Sequence, residues 1–261
     1  MQKTCMAIMI CLLCGLMSQT ASAHDYWIMP ETFQPKENSI LPVAFTSAHK
    51  YFANEEIPDI TKFRLLVIGP QGRELPLAFC RVEPAAVHAL VPVCGDGTYV
   101  ISAVTTVPDY FSKTTDGWKP GRKTELCDVI RSGKYVKSVK TFLTVGAPSD
   151  SYKKTLGHTI EIVPQENPTD LKAGRTLAVL VMYEGKPVKD VPVFGVYEGY
   201  KPKDHSDQPV KTKTDANGIA KIELNRPGKW LVYAKYELDT PQNPDADYEN
   251  YRPYMMFEVA K

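Results

Sequence analysis

The chain carries almost no net charge, with 31 lysines and arginines against 30 aspartates and glutamates. Without a basic surplus there is no electrostatic footprint for a nucleic acid and no polybasic patch for a membrane surface, so neither is expected as a partner. Beyond residue 23 no segment approaches the roughly 18 consecutive apolar residues of a membrane-spanning helix, which argues against direct membrane insertion. Glycine-rich phosphate loops, nucleophile elbows and paired-carboxylate spacings are also missing, so hydrolase and nucleotide-binding readings lack support and a non-enzyme is expected. Histidine is sparse, at five. None of the five sits in an HxxxH, HExxH or CxxC spacing, so any metal site has to be assembled by the fold.

The first 23 residues read as a secretory signal. Lys3 supplies the positive start, an apolar run follows from Met6 to Met17, and Ala21-Ser22-Ala23 gives the small-x-small cleavage pattern. Cys14 follows Leu13, where a lipoprotein site needs a small residue, so the expected product is a free periplasmic protein beginning at His24. Cys5, Cys11 and Cys14 leave with the signal, and Cys80, Cys94 and Cys127 remain. An oxidising compartment then permits one disulfide and one free thiol. Cys80 and Cys94 are closest in sequence, although a simple hairpin turning near Pro84 does not set them opposite each other, and the pairing stays open.

Period-two alternation dominates and helical spacing is scarce. In Ile219–Leu224, Ala220, Ile222 and Leu224 can face a core while Lys221 and Glu223 face water. Apolar or alternating runs recur at Ile40–Phe45, Phe63–Ile68, Leu75–Val82, Val87–Val93, Tyr99–Thr105, His158–Val163, Arg175–Tyr183, Val191–Tyr197, Lys229–Tyr236 and Tyr254–Val259. Turn signals such as Gly95-Asp96-Gly97 and Asp215-Ala216-Asn217-Gly218 separate them, so the chain is expected to be all-β, built of β-sandwiches. Small turn-formers gather over Gly146–Ser151, which predicts two sandwich domains, residues 24–150 and 151–261. The one helix candidate is Cys127–Leu143, where Val129, Ile130, Val136, Val139 and Phe142 fall at three-to-four spacing around Gly133. Asp109–Lys123 and Tyr200–Val210 read as long loops. The second half, with Gly185-Lys186-Pro187-Val188, Asp215–Gly218 and Pro227-Gly228-Lys229-Trp230 between strands, resembles the transthyretin-like or collagen-adhesin-B-type sandwich, which implies a fold and many possible functions.

Signal cleavage would make His24 the first residue, followed by Asp25, Tyr26 and Trp27. An N-terminal histidine can chelate one metal ion through its α-amine and its ring Nδ1 together, and both groups release their protons readily near neutral pH. His49 lies just past an apolar strand, where a sandwich presents loop residues. His158 opens a strand near the domain junction. His88, within a strand, reads as solvent-facing, and His205, in a polar loop, as solvated.

The order of segments along the chain is similar to a known family. His24-Asp25-Tyr26-Trp27-Ile28-Met29-Pro30, His49-Lys50-Tyr51-Phe52 followed by Glu55-Glu56, Lys113–Trp118, Gly157–Pro164, Gly185–Val188 and Thr214–Gly218 carry the likeness. They resemble bacterial periplasmic proteins catalogued as a domain of unknown function and as the periplasmic component of cobalt/nickel ABC-type transport systems. The resemblance implies a periplasmic protein that binds a divalent transition metal, nickel or cobalt first and copper or zinc as alternatives, and assists its uptake. It implies His24, His49 and His158 as ligands, with Asp25 and Glu161 as oxygen ligands or supports, and a separate membrane permease as partner. Imidazole suits all four metals, so ligand type does not name the ion.

Two rival readings use other residues. A copper monooxygenase also carries an N-terminal histidine brace on a β-sandwich, and would need Tyr26, Trp27, Tyr51 and Phe52 as an aromatic platform beside the metal. A non-catalytic surface or carbohydrate-binding module would use the tyrosines that crowd the second half, including Tyr197, Tyr200, Tyr248, Tyr251 and Tyr254, although tyrosine is favoured in strands anyway.

Overall fold

The computed structural model describes residues 24–203 and 207–261, so the expected signal segment and His205 lie outside the described residues. The first half supplies strands β1 (Asp25–Pro30), β2 (Ser39–Ala48), β3 (Phe63–Ile68), β4 (Glu74–Leu77), β5 (Phe79–Glu83), β6 (Ala86–Val93), β7 (Gly97–Thr105), β8 (Asp109–Thr114), β9 (Gly117–Pro120) and β10 (Val129–Val145). The second half supplies β11 (Ile160–Pro164), β12 (Arg175–Tyr183), β13 (Lys186–Pro187), β14 (Pro192–Tyr197), β15 (Val210–Lys213), β16 (Ile219–Leu224), β17 (Gly228–Ala234), β18 (Tyr236–Asp239) and β19 (Tyr248–Val259). Among the described residues the only helical elements are four short 3-10 turns, so the chain is all-β as its alternation predicts.

Three sheets stack. Strands β1-β2-β6-β5 form one outer sheet of four, and β11, β12, β13 and β16 form the other. Between them lies an eleven-stranded sheet ordered β15-β14-β17-β19-β10-β7-β3-β4, with β18, β8 and β9 attached. The two halves of the chain meet inside this middle sheet, where β10 pairs in parallel with β19 from Gly133 opposite Tyr248 to Thr141 opposite Met256.

Alternation along each middle strand feeds two cores. Leu65 and Val67 point to the first outer sheet, and their neighbours Leu66 and Ile68 to the second. The same division separates Leu231 and Tyr233 from Trp230 and Val232, and Tyr254 and Met256 from Met255 and Phe257. A strand buried on both faces needs apolar side chains at every position, which is why these segments read as continuous apolar runs. Strand β16, in an outer sheet, keeps the half-buried pattern: Ala220, Ile222 and Leu224 are buried while Lys221 and Glu223 are exposed. The residues just past the 150 boundary are docked against the first half, because the Ser151 hydroxyl donates to the carbonyls of Gly69 and Pro70 at 3.0 and 2.8 Å.

Two expectations are corrected, and the open cysteine pairing is resolved. Cys127–Leu143 is not helical but belongs mainly to the 17-residue strand β10. Its apolar residues fall three or four apart because polar side chains fill buried positions between them, each with a partner. Ser138 Oγ donates to the Ile160 carbonyl at 2.7 Å, Thr141 Oγ1 to the Ile28 carbonyl at 2.6 Å, and Lys140 to Glu161. Asp109–Lys123 is not a loop but mostly the hairpin β8–β9, which turns through Thr115-Asp116 and enters β9 at Gly117, where the glycine takes a positive φ of 119°. Cys80, Cys94 and Cys127 are all free and exposed, and the Cys80–Cys94 disulfide is not formed.

Gly133, which weakens the helix reading, has a packing role in the sheet. A Cβ there would collide with the Tyr248 ring, whose hydroxyl lies 2.7 Å from that of Tyr135 and whose face carries the Arg131 guanidinium at 4.3 Å. Gly133→Ala should therefore destabilise the protein by about 1–3 kcal/mol, as overpacking does. In a Tyr248→Ala background the same change should cost much less, which urea unfolding of the four proteins measures as a coupling energy. Additive effects would show that the ring and the glycine do not share this space.

Candidate metal centre

Strand β1 runs antiparallel to β2 with Asp25 opposite Ala48 and Tyr26 opposite Ser47. Continued by one step, this register sets His24 across from His49. A third segment joins through the bridge Ser47–Glu56, held by two backbone bonds, Ser47 N to the Glu56 carbonyl at 3.2 Å and Glu56 N to the Ser47 carbonyl at 2.9 Å. Two histidines and a glutamate from three chain segments thus converge, and their potential ligand atoms all lie within 4.8 Å of one another.

The His24 and His49 ring centroids are 3.9 Å apart at 70°. His24 Nε2 stands 3.0 Å from a Glu56 carboxylate oxygen, an ion-pair distance without hydrogen-bond alignment. Burial, and then the neighbouring His49, lower the His24 pKa below its ordinary value, against an opposing pull from Glu56. A ring kept neutral offers a nitrogen lone pair to a cation. The other two groups are open to solvent, the Glu56 side chain being 52 % exposed.

Glu55 fixes the turn that carries His49. Its Oε2 accepts the His49 amide at 2.8 Å and the Lys50 amide at 3.2 Å. Burial works against the Glu55 carboxylate, yet these amides outweigh it and hold its pKa below the usual range. Local side-chain to backbone bonds of this kind specify a turn without any regular strand.

Asp25 points away from the cluster, as strand alternation demands. Its Oδ1 accepts the Tyr254 hydroxyl at 3.1 Å, and Tyr51 lies beside it with its own hydroxyl 3.4 Å from that of Tyr233 and accepting Gln208 Nε2 at 2.8 Å. Burial raises the Asp25 pKa, with Arg252 and the two tyrosine hydroxyls opposing it. Asp25 therefore ties β1 to β19 beneath the histidines.

His158 lies elsewhere. It precedes β11, and β10 presents Ser138 and Lys140 to that strand while the intervening face, through Thr141, contacts β1. The middle sheet consequently separates His158 from His24 and His49. Its backbone amide donates to Glu161 Oε1 at 2.7 Å, and Glu161 Oε2 accepts Lys140 Nζ at 2.6 Å in a buried ion pair. The His158 side chain is buried and neither ring nitrogen has a hydrogen-bond partner. A cavity of about 470 Å³, lined by His158, Glu161, Met182 and Glu184 among others, lies alongside. A larger one, about 600 Å³, is lined by Ser149, Tyr152, Asn167 and Arg175 and contains none of the histidines. His88 pairs with Glu83 at 3.0 Å on the first outer sheet.

Of the four expected ligands, the structure brings together His24 and His49, leaves Asp25 on the neighbouring face and sets His158 across the sheet. Glu56, which completes the cluster, appears in sequence only as the second of two tandem glutamates. Its signal would have been the turn geometry that returns the chain to Ser47.

Burial pushes the His158 pKa down to about 4, with Lys140 adding to the effect. Because its ordinary value is 6.5, the unfolded chain takes up this proton first as pH falls. Stability contributed by the neutral ring is thus present above 6.5 and lost progressively toward pH 4, by ~3 kcal/mol for a shift of this size. His158→Gln should remove that part of the acid sensitivity. Urea midpoints at pH 7, 5.5 and 4.5 test it through the difference between the two proteins, which should shrink or reverse with acid; a pH-independent difference would refute it.

A family model described as "Domain of unknown function (DUF4198)" matches residues 21–238. No curated protein matches the chain. Among solved structures, the D0-D1 domain of intimin is 14% identical, over 90% of this chain and 97% of that one, with a TM-score of 0.24. A two-fibronectin-type-III-domain segment from chicken tenascin is 13% identical over 90% and 97%, also with a TM-score of 0.24. Escherichia coli alpha-2-macroglobulin activated by porcine elastase is 12% identical over 91% of this chain and 20% of that one, at 0.27.

Proposed function

The chain belongs to this DUF4198 family, and we propose that it is a periplasmic carrier of a divalent transition-metal ion, held by His24, His49 and Glu56. The observation that carries the reading is the convergence of two imidazoles and a carboxylate, from three chain segments, within 4.8 Å. Nitrogen donors of this kind suit nickel, cobalt, copper and zinc, and nickel or cobalt is the proposed cargo. The chain binds and passes on its ion without a chemical step, and a separate permease moves the ion across the membrane. Among the described residues no helix is long and apolar enough to cross one.

His24 can serve the ion in two ways. Through Nε2 it shares the ion with His49 and Glu56 in the observed ring orientation. Through Nδ1 it forms a chelate with its own amine, once removal of residues 1–23 frees that amine. The two uses place different ring nitrogens on the ion and are alternatives.

Calorimetric titration with nickel, cobalt, copper and zinc tests the reading on protein beginning at His24. One ion per chain is expected, with affinity falling more than ~10-fold in His49→Ala and in Glu56→Gln, the low end of what supporting residues alone are worth. Adding one residue ahead of His24 converts the amine to an amide and separates the two uses of the histidine. Equal affinity in wild type, His49→Ala and Glu56→Gln would eliminate the site.

A further inference from the structure

We propose that Tyr51 is the positioning residue of the metal centre: its hydroxyl holds the turn that carries His49 in place beside His24, and through partners in the second half of the chain it couples ion binding to the docking of this turn on that half. This rests on the metal reading above and adds a control on the same site.

Two kinds of contact act on the turn. Local bonds give it its shape, with Glu55 accepting the His49 and Lys50 amides and the Ala53 amide donating to the Lys50 carbonyl at 3.2 Å. These bonds join residues of the turn to one another, so they fix its form and not its place. Placement comes from side chains that leave it. The Phe52 ring packs 6.1 Å from that of the buried Trp27, in the same half of the chain. Tyr51 reaches across to the other half: its hydroxyl donates to the Asp25 carboxylate, accepts Gln208 Nε2 at 2.8 Å and lies 3.4 Å from the Tyr233 hydroxyl.

The positions of these partners give the hydroxyl its leverage. Asp25 adjoins His24 and Tyr51 stands two residues from His49, so one oxygen ties the backbones of both histidines to a common point. Gln208 lies two residues before β15, and Tyr233, in β17, stacks at 5.7 Å on Tyr254 of β19, whose own hydroxyl bonds Asp25. The common point is therefore anchored in the middle sheet by strands more than 150 residues from His49. An ion that needs His49 at this place needs the docked arrangement, and by linkage it holds that arrangement to the same degree. Partners that orient metal ligands are worth about 10–100-fold in affinity.

Nickel(II) titration of protein beginning at His24 tests this on wild type, Tyr51→Phe, Tyr233→Phe and Gln208→Leu, changes that keep all three ligands. Affinity should fall ~10-fold in Tyr51→Phe, the low end for such partners, and should fall in the other two as well. Because Gln208 acts through the hydroxyl, Tyr51→Phe with Gln208→Leu should cost no more than Tyr51→Phe alone. Tyr99→Phe removes a hydroxyl that bonds the Cys94 and Gly95 carbonyls away from the site. It should lower the urea midpoint and leave affinity unchanged, since stability lost by a protein that remains folded does not alter binding. Unchanged affinity in Tyr51→Phe would overturn the positioning role. Fully additive effects of Tyr51→Phe and Gln208→Leu, or an equal fall in Tyr99→Phe, would overturn the coupling. In each of these cases a loss of affinity in His49→Ala keeps the metal reading, whereas failure of the wild type to bind nickel removes the reading itself.

Discussion

The parallel pairing of β10 with β19 is the constraint on which the rest of the molecule depends. It joins strands from opposite halves into one sheet, and that sheet is then covered on both faces. Each middle strand must satisfy two cores at once, so a single residue of register slip would exchange every side chain between them. Tyr254 and Met256 would enter the wrong core together with Met255 and Phe257. Register is therefore fixed by packing along the whole seam, and Gly133 marks its start by admitting the Tyr248 ring.

Where one physical rule governs a segment, the sequence displays it. Strand β16 alternates because one face is wet, and Leu65–Ile68 and Trp230–Ala234 are apolar throughout because neither is. Where buried polar groups find partners in distant strands, the rule is masked. Ser138, Lys140, Thr141 and Thr144 are all buried in β10, each answered by a group more than 20 residues away, and no local pattern reports such a partner. The seam itself was equally hidden, since nothing in Gly146–Ser151 reveals that strands on either side of it will pair.

The candidate site was half legible for a similar reason. His24 stands out by its place after the expected cleavage junction, and His49 by its place after a strand. Glu56 joins them through a bridge to Ser47 that depends on a turn held by Glu55, a tertiary outcome of short-range bonds. His158 was drawn toward them by likeness of sequence alone. The middle sheet keeps it apart, in surroundings that explain its burial by the Lys140–Glu161 pair.

The hydroxyl of Tyr254 reaches Asp25 in β1, so the first strand of the fold is anchored on the last. A chain made from its amino end exposes His24 and His49 while more than 190 residues, β19 among them, are still to come. The seam cannot close, nor the bed beneath the histidines set, until that strand arrives. Assembly is thereby ordered in time: local turns such as Ala48–Glu56 can form early, but the surface that supports the site is completed only when synthesis is nearly over.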